Sequence, residues 1–83
     1  MATIDPKARV EALRAWLQVV ADDPEKGRAQ AKEMLESAGD LYDEEHLDGD
    51  QYAQIYDLGR ALRSAEHGDP AELAKKCLDS IRA

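Results

Sequence analysis

The sequence predicts an all-α fold, a small four-helix bundle or orthogonal helical array. Three observations carry that expectation. No segment alternates apolar and polar residues with the period of a strand. Apolar residues instead recur at helical spacing in four separate stretches. Each of the three prolines directly follows an aspartate, at Asp5-Pro6, Asp23-Pro24 and Asp69-Pro70. An Asp side chain accepts from the free amides of a first helical turn, and Pro suits the first helical position, where an N–H has no partner to lose. Three Asp-Pro pairs therefore read as three helix starts.

The first helix is expected over 6–21. Val10, Leu13, Trp16, Leu17 and Val20 share one face, an arc of about 120° at ~100° per residue. Val19 widens it. A face that broad suits a central helix, or one that also meets a partner. The second helix is expected over 24–44, with Ala31, Met34, Leu35, Ala38, Leu41 and Tyr42 in one phase across Gly39. A mid-helix Gly costs only about 1 kcal/mol relative to Ala, so the helix is read as continuous; the competing reading ends it at Gly39 as a cap. Glu45 would fall in the apolar stripe, so the helix should stop near Glu44.

The third helix is expected over 49–67. Asp48 as N-cap and Gln51 three residues later form a capping box. Its inward face is Tyr52, Ile55, Leu58, Gly59, Leu62 and Ala65, and Gly68 closes it. The fourth, over 70–82, turns Leu73, Ala74, Cys77, Leu78 and Ile81 inward and Glu72, Lys75, Lys76 and Asp79 outward.

The chain has 83 residues, the size of a single small domain, with no Phe, one Trp and three Tyr; aliphatic side chains must fill the core. A lone Cys excludes an internal disulfide and a multi-Cys zinc site. No apolar run reaches membrane-spanning length, and the first five residues carry neither the basic nor the apolar region of a secretory signal, so a cytoplasmic location is expected.

Negative charge is unevenly placed. Between Asp40 and Asp50 stand Asp40, Asp43, Glu44, Glu45, Asp48 and Asp50, six of the 18 acids, with no Lys or Arg; the other 12 acids nearly balance the 11 bases of a chain whose net charge is −7. On a continuous second helix, Glu25, Glu33, Glu36, Asp40, Asp43 and Glu44 would fall within an arc of ~100° opposite the apolar stripe. Asp48 and Asp50 would extend this ridge past the helix end. Such a ridge meets Lys/Arg surfaces and competes with phosphate for them; equally, an acidic helix face keeps a small protein soluble. The net charge argues against direct contact with nucleic acid.

Other candidate chemistry is thin. Aligning Gly49 with the sixth position of a calcium-binding helix–loop–helix puts His46 at the third and Ile55 at the twelfth, where acids are needed. His46 and His67 each stand alone, His67 as charge at a helix C-terminus. Cys77 reads as a small buried hydrophobe. Trp16 and Tyr52 are expected in the core, and Tyr42 and Tyr56 are left open between core and partial exposure. No phosphate-binding loop, serine elbow or metal-hydrolase motif occurs, and the reading is non-enzymatic, with no cofactor and no metal.

The expected function is binding to a basic protein through Glu33, Glu36, Asp40, Asp43, Glu44, Asp48, Asp50 and Tyr42. Such a partner would normally receive nucleic acid. By class analogy these are nucleic-acid mimics: anti-CRISPR proteins, antitoxins and immunity proteins. Two alternatives stand beside it. One is an oligomerisation module, a homodimer through the broad face of the first helix. The other is a helix-turn-helix regulator reading DNA with Lys75, Lys76 and Arg82.

Overall fold

A computed structural model describes residues 5–64, 66 and 68–81. Among them the chain forms five α-helices and no strand: α1 (Pro6–Asp22), α2 (Pro24–Arg28), α3 (Ala31–Asp43), α4 (Gly49–Arg63) and α5 (Pro70–Ser80). All three Asp-Pro pairs open helices. The carboxylates of Asp5, Asp23 and Asp69 accept from the amides of Lys7, Glu25 and Ala71 at 3.0, 3.2 and 3.0 Å. The capping box also forms: Gln51 N–H donates to Asp48 Oδ1 at 2.8 Å, and Asp48 N–H donates to Gln51 Oε1 at 2.9 Å.

The helix expected over 24–44 is two helices, and the break lies at Ala29–Gln30 and not at Gly39. Its cause is Trp16. The indole Nε1 donates to the Gly27 carbonyl at 2.8 Å, and the Gln30 amide donates to the same oxygen at 3.1 Å. The chain thus closes a tight turn instead of extending α2. α2 rests so closely on α1 that a Cβ on Gly27 would stand 2.2 Å from Val20 Cγ2. Gly39, by contrast, lies inside an unbroken α3.

Two other boundaries fall short of expectation. α4 ends at Arg63, where Ser64 turns extended and its amide caps onto the Arg60 carbonyl. Gly68 has φ +117° but lies beyond that end, so it does not close α4. α5 stops at Ser80 with Ile81 as cap. The expectations for Ala65, His67 and Arg82 lie outside the described residues.

α1 is the central helix, packed on α5, α2 and α3, and α4 packs on α5 and α3. Most of the broad face of α1 lies inside the chain: Val10, Leu13, Trp16, Leu17 and Val20 are all buried, and Val19 is half-buried. Leu41, Leu47, Ile55, Leu58, Leu62, Cys77 and Ile81 complete the core. Tyr52 is half-buried at its edge, short of the core position expected for it. At the far end of α5 the Arg14 guanidinium donates to the carbonyls of Leu78 and Ile81, and Gln51 Nε2 donates to Ser80 O at 2.9 Å. Carbonyls left open by a helix end are closed here by side chains from α1 and α4. No helix among the described residues is long and apolar enough to cross a membrane.

Candidate functional site

α3 positions the acidic side chains. Met34 and Leu35 pack against the core and Ala38 and Leu41 are buried in it, which turns Glu33, Glu36, Asp40 and Asp43 outward, all exposed. Because α3 runs unbroken through Gly39, these four keep the arc that the spacing requires. Asp48 and Asp50 follow, exposed, at the start of α4.

Two members of the expected ridge are placed differently. Glu25 belongs to α2, beyond the break, and pairs with Arg28 at 3.2 Å. Glu44 is the C-cap of α3, and Arg9 of α1 holds it at 2.7 Å with a second contact at 3.4 Å. The Arg9 hydrogen bond pulls the Glu44 carboxyl below the usual carboxylate range, and Glu44 in turn raises the Arg9 guanidinium. Arg9 also feels Asp40. Among the described residues this is the one ion pair that reaches the acidic stretch. Nothing in the sequence announced it, because the partners lie 35 residues apart.

The electrostatics of the two helix ends differ. Asp48 and Asp50 sit at the N-terminus of α4, where the helix dipole favours them. Asp40, Asp43 and Glu44 sit at the C-terminal end of α3, where the dipole and one another disfavour them. The connection between the helices is tight. The His46 amide donates to the Leu41 carbonyl at 2.8 Å and that of Glu45 to Tyr42 at 3.0 Å. This pattern requires a left-handed residue, and Glu45 supplies it with φ +66°, a position that usually belongs to Gly. Leu47 then plunges into the core. Tyr42, Asp43, Glu45, His46, Leu47 and Asp48 line an open depression of about 530 Å³ here.

Beside the acids runs an aromatic row. Tyr42 stacks on Tyr52 with centroids 4.9 Å apart, and Tyr56 meets Tyr52 edge-on at 6.5 Å. Tyr42 and Tyr56 are the exposed large hydrophobic residues among those described, at 42% and 54%.

A second surface escaped the sequence reading. Between the start of α3 and the end of α4 lies a groove of about 420 Å³ with Arg28, Lys32 and Arg63 on its rim and Ala31, Leu35 and Leu62 on its floor. Bases that begin one helix and end the next converge when the two lie antiparallel; that was the available signal.

Among the described residues no three of His, Cys, Asp and Glu gather as a metal site. Cys77 is fully buried, and burial, with a smaller push from Asp57, raises its thiol to about 11. Lys75 and Lys76 are exposed on α5. Compared with known protein families, characterised proteins and solved structures, the chain finds no match.

Proposed function

We propose that this is a non-catalytic protein-binding module whose acidic face engages a cationic surface of a partner, one that otherwise receives nucleic acid. The contacting residues are Glu33, Glu36, Asp40, Asp43, Asp48 and Asp50, with Tyr42 as aromatic anchor and Glu44 as a member already half-committed to Arg9. The observation that carries this reading is placement. Glu33, Glu36, Asp40 and Asp43 line the exposed side of one helix, and the last two, with Glu44, lie at its C-terminal end, where the dipole and mutual repulsion work against them. A cationic partner turns that cost into binding energy and accelerates encounter. Tyr42 supplies the rigid, amphipathic contact area that interfaces favour.

The test is capture of basic partners on the immobilised protein at low salt. Bound protein should elute on a salt ramp and on addition of duplex DNA or RNA. It should fail to bind a Glu36→Lys/Asp40→Lys/Asp43→Lys variant whose helical circular dichroism is unchanged. Equal capture by the variant, or indifference to competing nucleic acid, rules the reading out.

A further inference from the structure

The face formed by α3 and α4 carries opposite charge at its two ends. On α3, Lys32, Glu36, Gly39 and Asp43 fall in one row at ~100° per residue. On α4, Tyr52, Tyr56, Gly59 and Arg63 make the facing row, with Asp48 just ahead of it. The helices run antiparallel along this seam. Lys32 and Arg63 therefore share one groove, while Asp43 and Asp48 share the depression at the opposite end. A second groove of about 390 Å³, lined by Leu35, Glu36, Gly39, Tyr52 and Tyr56, continues the basic one through Lys32 and Arg63, and Tyr42, stacked on Tyr52, stands between it and the acidic depression. The helices approach closely because Gly59 lacks a Cβ, which would stand 2.7 Å from Leu35 Cδ1. Among the described residues no ion pair engages Lys32 or Arg63.

We infer that this face binds a second copy of the chain, antiparallel, about a two-fold axis through the Leu35–Tyr56 groove. An isologous interface must be complementary to itself. A patch positive at one end and negative at the other, with Leu35, Glu36 and Tyr56 between, meets that condition: the Lys32–Arg63 end of each copy faces the Asp43–Asp48 end of its partner. Both exposed tyrosines lie along the same seam, and pairing covers them. The face differs from α1, whose large apolar side chains are already buried within the chain. Glu36, Asp43, Asp48 and Tyr42 belong to both surfaces, while Glu33 and Asp40 remain outside the seam; sedimentation of the chain alone reads only the pairing, so its failure is distinguishable from a failure to capture a basic partner.

Sedimentation of the full chain from about 10 µM to about 1 mM tests it, with two variants that leave Asp48 in its cap. Lys32→Glu/Arg63→Glu makes both ends acidic; Asp43→Lys/Glu45→Lys makes both basic. The wild type should form a dimer. Each variant alone should lose at least about 10-fold in self-affinity while its helical circular dichroism holds. An equimolar mixture of the two should recover a dimer, since both ends are then complementary. A wild type that stays monomeric across the range, a dimer that persists in either variant, or variants that do not associate on mixing each overturn the inference.

Discussion

Gly27 has no Cβ because Val20 occupies its place. The Gly27 carbonyl receives the indole of the only tryptophan, so Gly27 meets α1 twice, at Val20 and at Trp16. Gly27→Ala forces contact at 2.2 Å, and such overpacking costs about 1–3 kcal/mol; urea unfolding should show a lower midpoint with a similar slope. Gly39 is the opposite case. A Cβ there meets only Tyr52 Oη at 3.5 Å, an ordinary contact, so Gly39→Ala should stabilise by about 0.5–1 kcal/mol. A lower melting temperature would contradict that. Glu45 holds a left-handed backbone that costs an L-residue about 1–2 kcal/mol, and Glu45→Gly should raise the melting temperature. Arg9 depresses the Glu44 carboxyl. The pair's contribution is thus present above the ordinary carboxylate range and lost as pH falls through the depressed value. Glu44→Gln should flatten the acid limb of a stability–pH curve in that window.

Among the elements, α5 has its C-terminal end closed by others. Arg14 from α1 and Gln51 from α4 donate to its last carbonyls. Gln51 uses both ends of its amide, the oxygen in the capping box and the nitrogen on Ser80. Gln51→Glu keeps the acceptor and removes the donor, leaving an anion against a carbonyl; chemical denaturation should register a loss of about 1–3 kcal/mol. Helix starts were legible in the chain because Asp-Pro and the Asp48–Gln51 box are local chemistry. The apolar faces were legible because periodicity is local too. Helix ends were legible only in part: α1 and α3 stop within a residue of expectation, at Asp22 and Asp43, whereas the ends of α2 and α4 were not. α2 stops where an indole from α1 meets Gly27, and α4 stops at Ser64 without a glycine. The acids of α3 were legible as one face because Gly39 is tolerated inside the helix. Arg9 on Glu44, and Lys32 beside Arg63, depend on how helices pack, which no local spacing encodes.

For the molecule as a whole, charge is segregated along the α3–α4 seam and net negative by 7. Carboxylates that repel at the α3 end weaken the fold in dilute buffer and less so in salt, where a Debye length near 8 Å at physiological ionic strength screens them. The fold itself stands on the core, to which α1 contributes Val10, Leu13, Trp16, Leu17 and Val20. Charge reversal on α3 should therefore leave that core intact and even help the helix, since Lys suits a C-terminal turn. Loss of binding in such a variant can then be assigned to the surface.

The central claim is that the acidic side of α3 is a contact surface for a cationic partner. The most direct measurement is the affinity of a captured partner for the wild type and for Glu36→Lys/Asp40→Lys/Asp43→Lys, by titration at low salt. The variant should lose about 100-fold or more in affinity, with helical content held and with nucleic acid displacing the wild-type complex. Equal affinity for the two proteins would contradict it.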